Sequence, residues 1–278
     1  MKYLSFIRPD KQYSIGKLES NKVVELLDTG GAFTDLKTVI AANNLENLEE
    51  GAVYNPEEIT FLPPILNPDK IICIGLNYSN HIQETGRKQG ARYPVIFTRF
   101  ADTLVGHGSP IIQPRHSDKL DYEGELAVII GQGGRDIPEA EAFEHIAGYS
   151  CFNDASVRDW QRHASHFTPG KNFPGTGGFG PYLVTPDEIE DLGAQQLKTC
   201  LNGEIVQDQP VADLIFSVPE LIAYISSFTP LRSGDLIVTG TPGGVGYART
   251  PPLWMKPGDT VEVTVGDIGT LINPIAAE

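Results

Sequence analysis

The stretch LDYEGELAVIIG, residues 120–131, governs how the rest of the chain is read. Its second half, Leu126 to Ile130, is an unbroken apolar run of the kind that forms a core strand. Its first half sets Glu123 and Glu125 two residues apart on that strand, so both carboxylates point to one face. Two like charges held side by side destabilise a sheet unless a cation or a proton lies between them. A third carboxylate, Asp154, follows the apolar stretch AGYSCFN (147–153) and precedes the polar ASVRDWQRH (155–163). Three carboxylate oxygens suit a hard cation such as Mg²⁺ or Mn²⁺, with positions left for water or a chelating substrate. The alternative from spacing alone is an exposed edge face carrying Glu123 and Glu125, with Asp154 as a helix cap. Asp102, Asp118 and Asp121 are competing carboxylates that one sequence does not rank.

Outward from this stretch, strands are expected at IICIGL (71–76), PVIFTR (94–99), AGYSCFN, KTCLNG (198–203), EIVQD (204–208), DLIVTG (235–240) and DTVEVTV (259–265). Asn202-Gly203 marks a hairpin between two of them. SVPELIAYISSF (217–228) is the clearest helix, with Ser217 as cap and Pro219 just inside. NYSNHIQETGRK (77–88) has helical character, with Asn77 suited to the cap and a stop near Gly86-Arg87. Residues 1–28 read as three short strands, and TDLKTVIAA (34–42) as a helix after them. The proline-rich NPEEITFLPPILNPDK (55–70) reads as an extended linker, which divides the chain into a small N-terminal module, 1–66, and a larger domain, 67–278. Many strands, few helices, 29 glycines and 21 prolines favour a β-rich α+β fold.

The 36 acidic and 21 basic residues leave a formal charge of -15, which disfavours nucleic acid and anionic membranes as partners. No stretch reaches the roughly 18 consecutive apolar residues of a membrane span. The start, MKYLSFIRPDKQYS, turns charged too early for a signal peptide, and Cys73, Cys151 and Cys200 fit reduced core thiols, so a cytoplasmic protein is expected.

In NYSNHIQE, His81 and Glu84 stand three apart on the expected helix, within hydrogen-bond reach. A carboxylate beside an imidazole fixes its tautomer and raises its basicity, as a general base requires; the alternative is a plain surface histidine. Three glycine-rich stretches, TLVGHG (103–108), TPGKNFPGTGGFGP (168–181) and VTGTPGGVG (238–246), would let backbone N–H groups approach an anion, and Lys171 adds a positive charge to the second. None has phosphate-loop spacing, and tight turns are their alternative role.

Six stretches in order, IGLNYSNHIQETG, DYEGELAVIIG, GYSCFNDASVRDWQ, TPGKNFPGTGGFGP, LNGEIVQD and LIVTGTPGGVG, resemble the fumarylacetoacetate hydrolase family across about residues 70 to 275. The resemblance implies a mixed β-roll with a smaller N-terminal module. It implies Glu123, Glu125 and Asp154 as ligands of Mg²⁺ or Mn²⁺, His81 and Glu84 as a water-activating dyad on a lid-like segment, and Lys171 as a stabiliser of developing negative charge. It also implies Thr241 as a contact for the substrate carboxylate and Gln161 as a neighbour of the oxo group. Phe97-Thr98-Arg99 departs from the pattern of many relatives, which makes Arg99 either a carboxylate clamp or a structural residue.

The expected activity is hydrolytic C–C cleavage of an acylpyruvate, such as maleylpyruvate or fumarylpyruvate, to pyruvate and a carboxylic acid in aromatic catabolism. Decarboxylation, tautomerisation, isomerisation or hydration of a related oxo-enol acid is the alternative, and a non-catalytic 2-oxo-acid binder a remote one. A homodimer is expected.

Overall fold

The computed structural model describes residues 1–31, 33–86 and 92–278. Arg87, half of the expected helix stop at Gly86-Arg87, and Lys88 lie outside them.

The run 124–130 becomes the strand Gly124–Ile130, with every residue buried. It pairs antiparallel with Ile146–Asp154 on one side and Leu236–Val238 on the other, so its backbone polar groups are met from both edges. Alternation sends Leu126, Val128 and Ile130 to one core, shared with Leu197, Val263 and Leu271 of a second sheet and with Leu221, Ile222 and Ile225 of a helix. Ala127 and Ile129 go to another core, with Ile71, Cys73, Phe152 and Phe179.

Among the described residues the central sheet has twelve strands. Its path runs Glu49–Tyr54, Lys22–Leu27, Tyr13–Glu19, Lys2–Ile7, Gly177–Val184, Ile146–Asp154, Gly124–Ile130, Leu236–Val238, Ile71–Gly75 and Val95–Arg99; two short strands pair off this path. A five-stranded sheet runs Glu204–Pro210, Gln196–Leu201, Thr260–Val265, Gly269–Ala277 and Ile111–Gln113, and packs its inner residues against the central one. Gly124 sits where the sheets approach most closely: a Cβ there would lie 2.0 Å from Thr199 Oγ1. This is the strand-rich α+β architecture expected from the turn-separated apolar runs.

The hairpin forms at Asn202-Gly203, both with positive φ, and the helix Val218–Phe228 starts with a capping box between Ser217 and Glu220. Two sequence expectations change. Asn77 is not a helix cap: Tyr78 occupies that position before Ser79–Glu84, while the buried Asn77 amide donates to Phe216 O and Thr239 O and accepts from Phe216 N. GGFGP, the end of a glycine-rich stretch expected to turn or meet an anion, opens the strand Gly177–Val184. A Cβ at Gly178 would press to 2.7 Å on Asn273 Oδ1, so there glycine answers a close approach, not a turn.

The first four strands continue the central sheet through Lys2–Ile7 against Gly177–Val184, and Tyr3, Ile15 and Leu26 share a core with Ile71 and Cys73. Within the proline-rich segment, Thr60–Phe61 pairs with the first strand, and Pro63, Pro64 and Ile65 are buried.

Candidate active site

The strand geometry brings the three carboxylates together. Asp154 N donates to Glu123 O at 2.8 Å, and Phe152 lies directly across from Glu125, so Asp154, two residues on, projects to the same face. One ligand oxygen from each of Glu123, Glu125 and Asp154 lies within 4.8 Å of the others, and all three residues are buried. The competing Asp102 and Asp118 are exposed. Asp121 is buried, yet it serves a different group: its oxygens accept from Arg158 Nε at 2.8 Å, Gly246 N at 2.8 Å and Tyr247 N at 3.0 Å.

Three buried cations surround these four buried acids. Lys171 Nζ reaches Glu123 Oε2 at 2.6 Å and Asp154 Oδ2 at 2.5 Å. Arg158 joins Asp121 to Glu123, the latter at 2.7 Å. Arg99 Nη1 donates to Asp154 Oδ1 at 3.1 Å and to Lys171 O at 2.6 Å, and Nη2 to Thr176 Oγ1 at 2.9 Å. Among the described residues no cation lies within ion-pair distance of Glu125; its Oε2 accepts the Gly240 N–H, at 2.6 Å. Burial, and then the charges of Asp154 and Glu123, push the Glu125 carboxyl well above its usual range. Burial also opposes ionisation of Glu123, but Lys171 and Arg158 overcome it and hold that carboxyl down at about 2. Burial lowers the Lys171 pKa, but Asp154 and Glu123 outweigh it and hold the ammonium above its usual range. A divalent cation fits this donor set: three hard oxygens converge, and one of them lacks a counter-charge.

Lys171 owes its position to a tight contact between two short helices. Gly170 packs so closely on the helix Arg158–Gln161 that a Cβ would meet Gln161 N at 2.4 Å, and this sets the following lysine over the acids.

The helix Ser79–Glu84 carries His81 and Glu84 on one face, with His81 Nδ1 2.7 Å from Glu84 Oε1. That contact assigns the proton to Nδ1 and leaves Nε2 as an acceptor; Nε2 has no hydrogen-bond partner among the described residues. The 238–246 loop anchors the helix: Gly243 N donates to Asn80 Oδ1 at 3.0 Å and Gly244 N to Glu84 Oε2 at 2.7 Å. The same loop supplies Gly240 N to Glu125 and Gly246 N to Asp121. Glycine N–H groups do approach anions here, and the anions include the protein's own carboxylates.

A cavity of about 600 Å³ is lined by His81, Glu123, Glu125, Lys171, Gln161 and Thr241, among others. Thr241 Oγ1 donates to Gly124 O and accepts from Gln207 Nε2, and Gln161 Oε1 accepts from Arg158. Arg99 is not on the cavity wall. Its guanidinium is fully buried behind Asp154, so of the two sequence readings its position fits the structural one and not the substrate clamp. Sequence reasoning passed over Arg158, Tyr247 and Gln207; a lone arginine four residues after Asp154 carried no signal of its own.

Residues 70–276 match the profile of the fumarylacetoacetate (FAA) hydrolase C-terminal domain. The chain belongs to the fumarylacetoacetate hydrolase family. Within that family it is 38% identical over 257 residues to oxaloacetate tautomerase FAHD2A, mitochondrial, of Bos taurus, covering 91% of this chain and 79% of that one. It is 40% identical over 226 residues to oxaloacetate tautomerase YisK of Bacillus subtilis (strain 168), covering 80% and 75%. The crystal structure of 5-carboxymethyl-2-hydroxymuconate delta-isomerase from Mycobacterium smegmatis superposes with a TM-score of 0.82 at 31% identity, over 100% of both chains. Fumarylacetoacetate hydrolase relatives of this kind are enzymes, and the two sequence relatives given above carry tautomerase names where hydrolysis was expected. Among the described residues no helix is long and apolar enough to cross a membrane.

Proposed function

We propose that this enzyme interconverts the enol and keto forms of a small 2-oxo dicarboxylic acid of the oxaloacetate class. The observation that carries the reading is the likeness to two oxaloacetate tautomerases, one of them aligned over 91% of the chain. It replaces acylpyruvate hydrolysis as the favoured activity, because tautomerisation asks for a base and a stabilised enolate without an attacking water.

Glu123, Glu125 and Asp154 would hold Mg²⁺ or Mn²⁺, which when bound polarises the 2-oxo acid end of the substrate. In the keto-to-enol direction His81 Nε2 takes a proton from C3. The C–H electron pair becomes the C2=C3 double bond, and the oxygen at C2 gains the proton; the enol-to-keto direction returns it to C3. Glu84 accepts from Nδ1–H and so favours the imidazolium formed in between. Lys171, cationic and on the cavity wall, offsets the negative charge that develops on the enolate. Thr241, with its hydroxyl fixed by Gly124 and Gln207, contacts the carboxylate next to the oxo group. A homodimer is part of the proposal, with light scattering as its check.

The test is to mix purified protein and Mg²⁺ with enol-oxaloacetate and follow loss of the enol's ultraviolet absorbance, beside an acylpyruvate panel in ¹⁸O-labelled water. Accelerated ketonisation without pyruvate release supports the reading. No acceleration, together with ¹⁸O entering an acid released from an acylpyruvate, would return the assignment to hydrolysis.

A further inference from the structure

The geometry points to Arg162 as the residue that selects substrates bearing a second, distal carboxylate. This rests on the proposed 2-oxo-acid chemistry and adds to it the source of dicarboxylate preference. Arg162 caps the C-terminus of the helix Arg158–Gln161 and lines the cavity that holds Glu123 and Glu125. Its guanidinium lies over the Tyr247 ring, 5.4 Å from the centroid, and the Arg158 guanidinium lies over the same ring at 4.7 Å. One aromatic ring thus gathers two like charges, an arrangement that an anion between or beside them would relieve.

The two arginines differ in what balances them. Arg158 is neutralised by Asp121 and Glu123 and is buried. Arg162 is exposed and has no carboxylate partner among the described residues, in a chain with a formal charge of -15. An arginine with no carboxylate partner, on a cavity wall whose two acids, Glu123 and Glu125, lie at the proposed 2-oxo-acid end, is suited to a carboxylate that enters from solvent. Buried Arg158 adds a second donor: its Nη2 has no hydrogen-bond partner. With the 2-oxo acid end directed to Glu123, Glu125 and Asp154, the substrate's far carboxylate is the group left to meet Arg162.

The experiment measures binding by calorimetry to the Mg²⁺-loaded protein, using oxaloacetate and 2-oxobutyrate, which match in chain length and differ by a carboxylate in place of a methyl group. Oxalate, which lacks a tail, is the third probe. Wild type is expected to prefer oxaloacetate by on the order of 10- to 100-fold, as one charge-assisted pair allows. In Arg162→Gln that ratio falls to within about threefold of unity, while oxalate affinity stays within about twofold of wild type. Arg162→Lys should recover part of the ratio, since it restores charge without the fork. An unchanged ratio in Arg162→Gln, or equal weakening of all three probes, would overturn the assignment. A protein that shows the ratio and its loss but does not speed ketonisation would sink the tautomerase reading and leave the role of Arg162 standing.

Discussion

The floor and the wall of the cavity are built on different terms. The floor, Glu123, Glu125 and Asp154, projects from paired strands in the middle of the central sheet, and Lys171, Arg158 and Arg99 lock two of its three acids in ion pairs. The wall, His81 and Arg162, rides on short helical turns at the edge: six residues held by two glycine amides in one case, the exposed cap of a four-residue helix in the other. Burying charge in the floor ties catalysis to folding, because each acid left without its partner also leaves a cation without one. Side chains on the wall have few such obligations, so chemistry and specificity can change there without unfolding the protein.

Asp154→Ala strikes this contrast hardest. It leaves buried Arg99 without a carboxylate and Lys171 with Glu123 alone, so turnover should vanish and unfolding free energy should drop by about 3–5 kcal/mol in urea titration. Asp118→Ala, an exposed acid nearby, should stay within about 0.5 kcal/mol of wild type. Equal stability in the two variants would break the distinction between floor and wall.

His81→Ala should behave oppositely. Loss of a positioned base lowers kcat by about 10²–10⁴-fold, while oxalate affinity stays within a few-fold, by stopped-flow absorbance and calorimetry. A matching loss of oxalate affinity would mean that His81 belongs with the floor.

Metal should act through Glu125, the floor acid without a cation. Mg²⁺ at about 100 times its Kd should raise unfolding free energy by about 2.7 kcal/mol, and excess chelator should remove both this gain and the activity. Thermal unfolding of Glu125→Gln should show a smaller response, and an identical response would point to a cation bound elsewhere.

Gly244→Ala should give the smallest effect. Gly244 has φ +107°, and a Cβ there would lie 2.2 Å from Val206 O, so the loop must shift and pull its N–H from Glu84. A loss of about 1–3 kcal/mol is expected, together with a fall in kcat, since Glu84 orients His81. Lost stability with unchanged kcat would show that the loop supports the fold alone.

Much of this is legible in the sequence. The apolar run 126–130, the Asn202-Gly203 hairpin and the Ser217-capped helix are local signals, set by period, turn chemistry and capping within a few residues. The spacing of Glu123 and Glu125 placed both on one face, and His81 lay within reach of Glu84 for the same local reason. Asp154 and Lys171 stood out from their local context as a further acid and a cation, and the resemblance to a family gave them their roles.

What only tertiary structure decided depends on distance through space. Arg99 and Arg158 meet the acids because segments far apart in sequence come together there, and no spacing within the chain announces an ion pair across 55 residues. The strand Gly177–Val184 hides in a glycine-rich stretch because its glycines answer to Arg99 and Asn273, not to their neighbours in the chain. Tyr247 gathers Arg158 and Arg162 for the same reason. Sequence determines which residues can share a face; close packing determines which charges must share a site, because only a buried charge is obliged to find a partner.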